Sequence, residues 1–158
     1  MGNLVPDAML AQSKGTGAPA DLAINNPGGL RNSELYFAGN TASNPANTDG
    51  VVTYAEANTI LPFTNNLYTV TLTGAQLKKV FEQQWQRDAS GNVPSRPYLQ
   101  LGVSDNVRYT FDSNRSEGRR VTGLWIADEL VDSTKSYKVI APSFLALGGD
   151  NARPHGPA

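Results

Sequence analysis

The chain has 158 residues, of which 39% are hydrophobic, so it can form a single domain with a substantial core. Its net charge is −1 and no lysine or arginine cluster marks a basic groove, which argues against nucleic-acid binding. No apolar run approaches the ~20 residues that span a bilayer, so we expect no membrane insertion by this chain. The absence of cysteine excludes disulfides and thiol chemistry. Met1 leads directly into helical sequence, from which we expect a fragment of a longer protein.

The first predicted elements are a helix and a short buried strand. Residues 3–13 have helical character, with Asn3 as the expected cap and Pro6 tolerated in the first turn. Residues 22–24 are an apolar run of the kind found in buried strands, and a glycine turn stops it. Residues 36–50 are rich in small polar residues and are expected to form an exposed loop without core residues.

Two further helices are predicted from capping boxes. Thr53 with Glu56, and Thr73 with Gln76, both match a threonine cap followed three residues later by Glu or Gln. After Thr73 the apolar residues recur at helical spacing: Leu77, Val80, Phe81 and Trp85. The opposite face is polar: Lys78, Lys79, Glu82 and Gln83. This amphipathic pattern predicts core packing rather than a cofactor site.

The remaining segments are predicted to be strands. Four of them have β-type patterns: 67–72, 107–111, 121–126 and 136–141. A hairpin turn is expected at Asp128-Glu129. Because helices and strands follow one another irregularly, we predict an α+β fold with a mixed sheet and packed helices rather than strict alternation. Residues 1–150 are expected to form one compact domain and residues 151–158 an irregular tail.

The sequence offers little for catalysis by this chain alone. Its only histidine, His155, lies in the expected tail, whereas a two-metal phosphatase site needs several histidine and carboxylate ligands. A Ser/His/Asp site would require His155 to dock into a packed pocket, and the sequence around Ser143 does not resemble a nucleophile elbow. We therefore expect no metal, no cofactor and no catalytic residue in this chain.

Three segments favour binding of a small, flat, anionic ligand: residues 25–31, 61–65 and 144–150. Phe63 and Phe144 follow prolines in loop-like sequence, which favours exposed stacking faces. Arg31 can hold an anionic oxygen, and Asp150 can accept hydrogen bonds from a ribose diol. A nucleoside or nucleotide is the ligand that combines these groups.

Glycine pairs lie beside both charged residues. Gly28-Gly29 and Gly148-Gly149 have a purely conformational interpretation, in which they supply positive φ at tight corners. Because each pair adjoins a candidate ligand group, we favour instead a concavity in which backbone amides bind an anion.

Several motifs in the expected order resemble the C-terminal domain of the 5′-nucleotidase family of secreted or surface metallophosphoesterases. They are Asn25-Asn26-Pro27-Gly28-Gly29-Leu30-Arg31, Leu61-Pro62-Phe63, Leu72-Thr73-Gly74-Ala75-Gln76-Leu77, Tyr98-Leu99-Gln100 and Phe144-Leu145-Ala146-Leu147-Gly148-Gly149-Asp150. The resemblance implies that Phe63 and Phe144 clamp a nucleobase, that Arg31 contacts the sugar or phosphate and that Asp150 holds ribose hydroxyls. The matching polar and glycine positions of this pocket are Asn26, Asn65, Gly28 and Gly29.

The resemblance also implies a partner outside this chain. In the family a separate N-terminal domain carries two divalent metals and hydrolyses the phosphate ester, outside the cell, at its surface or in the periplasm. Pro27 departs from a position that is often glycine and removes one N–H, and a further family arginine lies upstream of this chain. Pro27 and the Asn-rich loop 36–50 are compatible with an alternative, a non-catalytic surface or scaffold module that has lost nucleotide binding.

Overall fold

The computed structural model describes residues 2–32, 38–88 and 90–152. Contacts divide the chain into two units, one formed by residues 28–64 and the other by residues 2–27 together with those from 65 onward. His155 and most of the expected tail lie outside the described residues. The boundary at residue 150 stays a prediction, although Asn151 and Ala152 are described and Ala152 is buried.

The described residues of the larger unit form two sheets. Its strands are β1 (Leu22–Asn25), β2 (Leu67–Thr73), β3 (Gly102–Val103), β4 (Val107–Phe111), β5 (Val121–Ile126), β6 (Glu129–Leu130) and β7 (Ser136–Pro142). One sheet has the order β2-β7-β1-β3, with β1 parallel to β7 and the other pairs antiparallel. The second sheet, β4-β5-β6, is antiparallel. The predicted α+β fold with a mixed sheet is confirmed.

The described residues form four α-helices, three of which pack against strands of the larger unit. They are α1 (Leu4–Lys14), α2 (Tyr54–Ile60), α3 (Gly74–Glu82) and α4 (Ser143–Ala146). All but α2 belong to the larger unit. Every residue of β1 is buried, and its alternation places Ile24 in the main core and Ala23 in a smaller cluster with Met9 of α1. Leu77 and Phe81 of α3 are fully buried, as the apolar stripe predicted.

Both capping boxes are present, and Asn3 occupies the expected N-cap position of α1. The Thr53 and Thr73 side chains each accept a hydrogen bond from the N3 backbone, and the N3 side chain bonds back in both cases. Asn3 makes no side-chain cap bond, and its backbone is already helical. The N3 residue of α1 is Pro6, which has no N–H to donate, so the usual cap bond to N3 cannot form.

The polar face assigned to α3 needs a correction at its end. Glu82 is buried rather than solvent-exposed, and its Oε1 accepts a 2.6 Å hydrogen bond from the Val121 amide of β5. Trp85 lies beyond the helix, which ends at Glu82, and forms a β-bridge with Tyr98. A local periodicity argument cannot show that the edge of β5 lies against this turn.

The predicted hairpin exists with its turn one residue earlier. The two residues between β5 and β6 are Ala127 and Asp128, with φ values of 49° and 65°. Positive φ at both positions is the type I′ geometry that matches strand twist. Glu129, which the sequence placed in the turn, begins β6.

The smaller unit contains α2 and a long irregular segment. Residues 38–50 form no helix or strand and are mostly exposed, with Asn47 buried, while residues 36–37 of the predicted loop lie outside the described residues. The loop is fixed internally, since the Gly39 amide donates a 2.7 Å hydrogen bond to Asp49 Oδ1.

Candidate functional site

Phe144 lies on α4 with 48% of its surface exposed. Gly149 packs closely against its ring, since an ideal Cβ at that position would lie 2.5 Å from Phe144 Cε1. Only a residue without a side chain fits this approach. The aromatic face is therefore exposed to solvent but held in place from one side.

The start of α4 is fixed by the segment that includes Asn65. Ser143 donates from its backbone N to the Asn66 carbonyl (2.7 Å) and from its hydroxyl to Asn65 Oδ1 (3.0 Å). These bonds orient the helix that carries Phe144. Asn65, predicted to line the pocket, thus lies beside the helix of the aromatic residue in the larger unit.

Asp150 lies in a 3-10 turn, Gly149–Asn151, in a left-handed conformation with φ 50° and ψ 33°. Asn26, which is 6% exposed at the end of β1, donates from Nδ2 to Asp150 Oδ2 at 3.0 Å. The structure therefore joins two of the predicted site residues that are far apart in sequence. Among the described residues of the larger unit the second carboxylate oxygen, Oδ1, has no hydrogen-bond partner and can accept from a ligand.

Two residues of this region were missed by the sequence analysis. Gln86 Nε2 donates to the Asp150 carbonyl (3.1 Å), and its Oε1 accepts from Asn151 Nδ2 (2.8 Å). The sequence around a glutamine that follows an amphipathic helix does not predict a contact with such a distant turn. A cavity of about 10 Å³ beside these side chains is lined by Leu101 and Leu145 among others, which is space for about one water and not for a nucleobase.

In the smaller unit Arg31 lies over the ring of Phe63, with Cζ 4.9 Å from the ring centroid. The Arg31 amide donates to the Ile60 carbonyl at 2.8 Å, which ties this segment to the end of α2. Phe63 is 42% exposed. The cation–π contact orients the guanidinium, and no carboxylate among the described residues of the smaller unit forms an ion pair with it. The sequence also allows Arg31 to form a structural ion pair with a carboxylate such as Glu34 or Asp150, and of these two Glu34 lies outside the described residues.

The glycine pairs differ in conformation. Gly148 has φ 96°, as the conformational interpretation expects, whereas Gly28 and Gly29 lie in a 3-10 helix, Pro27–Gly29. That interpretation is therefore wrong for Gly28 and Gly29. Position 149 requires glycine because the Phe144 ring lies against it, and not because its φ is positive.

The described part of the chain has neither a cluster of metal-ligating side chains nor a membrane-spanning helix. Residues 2–32, 38–88 and 90–152 contain no group of three histidine, cysteine, aspartate or glutamate side chains that could hold an ion. None of the described helices is both long and apolar enough to cross a bilayer.

Relatives of this chain act on nucleotides or lie in the cell wall. It is 31% identical over 156 residues to the trifunctional nucleotide phosphoesterase protein YfkN of Bacillus subtilis, covering 95% of this chain and 9% of YfkN. It is 29% identical to the cell wall protein Lmo0130 of Listeria monocytogenes, covering 95% of this chain and 18% of that protein. The chain thus spans a small part of these relatives.

Comparisons of fold and family agree with each other. The crystal structure of a 5′-nucleotidase precursor from Thermus thermophilus is similar with a TM-score of 0.71 and 26% identity, covering 99% of this chain and 28% of that one. The family model described as "5′-nucleotidase, C-terminal domain" matches residues 1–155. The motifs, the fold and this match together establish that the chain belongs to the 5′-nucleotidase C-terminal domain family.

Proposed function

We propose that this chain recognises a nucleotide or nucleoside for a longer, extracellular or surface 5′-nucleotidase-like phosphoesterase. A separate N-terminal domain, holding two divalent metals, performs the hydrolysis. The observation that carries the proposal is an exposed Phe144 ring against Gly149, followed by Asp150, whose Oδ1 has no hydrogen-bond partner among the described residues of the larger unit. The cell wall relative supports the location.

The nucleobase stacks on Phe144 and Phe63. Both rings are nearly half-exposed, whereas the core phenylalanine Phe81 is fully buried. Stacking on an aromatic side chain contributes about 1–3 kcal/mol per base. The family resemblance, rather than geometry, carries the proposal that the two rings take opposite faces of one base.

The sugar and the phosphate have separate partners. Asp150 accepts hydrogen bonds from the ribose diol through the oxygen that Asn26 leaves free. Arg31, whose guanidinium stays charged at any working pH, attracts the phosphate. Asn65, Gly28 and Gly29 border the same ligand. Because the phosphate is held mainly by the other domain, we expect millimolar affinity, about −4 kcal/mol, for this chain alone.

NMR titration of the 158-residue chain with adenosine and AMP tests this proposal. We expect resonances near Phe63 and Phe144 to shift at millimolar ligand, and Phe144→Ala to abolish those shifts. If neither ring responds at several millimolar, the scaffold alternative holds instead.

Arg31→Ala distinguishes the role of the charge. It should weaken AMP clearly and adenosine much less, because only AMP carries the phosphate, and leave the melting temperature nearly unchanged. Equal losses for both ligands would assign Arg31 to the sugar or base. The chain should release no phosphate from AMP even with added divalent metal. Metal-dependent release that survives mutation of His155 would contradict the proposal that the N-terminal domain performs the hydrolysis.

A further inference from the structure

Two consecutive residues at the predicted ribose site have left-handed backbones. Asp150 has φ 50° and Asn151 has φ 62°. The left-handed region is sparsely populated by residues other than glycine, although Asp and Asn tolerate it best. Two such residues in succession persist only where the surrounding structure holds them there. We therefore expect contacts to Asp150 and Asn151 that hold their backbones in the left-handed conformation.

Gln86 contacts both residues of the pair. Its Nε2 donates to the Asp150 carbonyl at 3.1 Å and to the Gln83 carbonyl at 2.8 Å. Its Oε1 accepts from Asn151 Nδ2 at 2.8 Å. The backbone of Gln86 is itself anchored, since its amide donates to the Pro97 carbonyl at 2.8 Å. With 7% of its surface exposed, this side chain is a buried link between the end of α3 and the turn.

The backbone conformation at Asp150 decides where its carboxylate points. Asn26 holds Oδ2 at 3.0 Å, and among the described residues of the larger unit Oδ1 is left free. A change of Asp150 to the common right-handed conformation would rotate the side chain away from Asn26 and redirect the free oxygen. Gln86 opposes that change by binding the carbonyl of the same residue.

We propose that Gln86 is a positioning residue of the ribose site. It holds Asp150 and Asn151 in the left-handed conformation, and thereby presents one carboxylate oxygen to a vicinal diol. The presentation of the carboxylate to a diol rests on the proposed function of Asp150, whereas the hold on the backbone does not. Gln86 acts on the ligand only through the turn that it holds.

The first experiment needs no ligand. Gln86→Met keeps the side-chain length and removes both hydrogen bonds to the turn, and Gln86→Glu keeps an acceptor for Asn151 but no donor for Asp150. The Cα and Cβ chemical shifts and the HN–Hα couplings of Asp150 and Asn151 report their backbone conformation. We expect left-handed values in the unmodified chain and averaged values in both variants. The glutamate variant decides the question if the methionine variant does not fold.

The second experiment measures diol preference. The unmodified chain should bind adenosine about tenfold more tightly than 2′,3′-dideoxyadenosine, the discrimination expected of one hydrogen bond to a charged group. In Gln86→Met the ratio should fall to about twofold because adenosine weakens while the dideoxy compound does not. Arg87→Gln is the matched control, since its side chain pairs with Glu117 and its backbone carbonyl, which accepts from Asn151 Nδ2 at 3.0 Å, is kept by the substitution. The ratio should stay unchanged.

The possible outcomes test separately whether Gln86 holds the turn and whether Asp150 binds the diol. Left-handed values that persist in both Gln86 variants overturn the proposal. Loss of the left-handed state with an unchanged preference for adenosine overturns the positioning role. If the unmodified chain binds adenosine without preferring it to the dideoxy compound, the proposed function of Asp150 fails, and the ligand-free spectra still decide whether Gln86 holds the turn.

Discussion

Replacing Gly149 by alanine should displace the Phe144 ring without unfolding the chain. The new Cβ would lie 2.5 Å from Phe144 Cε1 and 2.6 Å from both Cδ1 and Cζ of the ring. Carbon atoms in contact prefer about 3.5–4.0 Å, so the ring must move by about 1 Å. Because Phe144 is half-exposed, it can move into solvent, and we expect a stability loss below about 1 kcal/mol.

The expected loss of binding follows from the displacement. A gap of about 0.5–1 Å removes roughly a quarter to a half of a van der Waals contact. Applied to stacking worth about 1–3 kcal/mol, this is about 0.3–1.5 kcal/mol. The Kd for adenosine should therefore rise about 2–10-fold.

NMR titration with adenosine measures the Kd, and thermal unfolding measures the stability of the same samples. Gly17→Ala is a matched control, because a Cβ there meets nothing within 4 Å. Phe144→Ala sets the upper limit of the effect, and adding Gly149→Ala to it should change the Kd little further. An unchanged Kd in Gly149→Ala would refute the assignment of Phe144 to the base. A stability loss of several kcal/mol would refute the claim that the ring can move.

Three further predictions concern stability. Phe63→Ala should cost well under the about 3–5 kcal/mol expected for the fully buried Phe81→Ala, as compared by chemical denaturation. Glu82→Ala leaves the amide of β5 buried without its acceptor and should cost about 1–3 kcal/mol, with Lys79→Ala on the exposed face as control. Hydrogen bonds from the Thr53 amide and hydroxyl lower the pKa of Glu56 below its ordinary value of 4.5. The ionised carboxylate therefore stabilises the fold above pH 4.5, and this stabilisation should be lost as the pH falls through the lowered pKa. Glu56→Gln keeps the capping box and should remove that part of the acid dependence; identical pH profiles would contradict this.

Some elements are stabilised by residues only a few positions apart, and the local sequence was sufficient to predict them. A threonine and the side chain three positions later complete each other's hydrogen bonds, so the boxes at Thr53 and Thr73 could be predicted without knowing the fold. The apolar spacing of α3 likewise identified Leu77 and Phe81 as core. The motifs around the two exposed phenylalanines were sufficient to indicate the family, which the match over residues 1–155 confirms.

Tertiary structure decided the features that depend on distant partners. Glu82 is buried because an amide of β5, 39 residues later, needs an acceptor there. Asn26 reaches Asp150 across 124 residues, and Gln86 reaches the same turn across 64. Nothing within a few positions of these residues specifies such contacts. They form only when β1, the end of α3 and the turn after α4 are brought together, because a hydrogen bond depends on distance in space and not on separation in sequence.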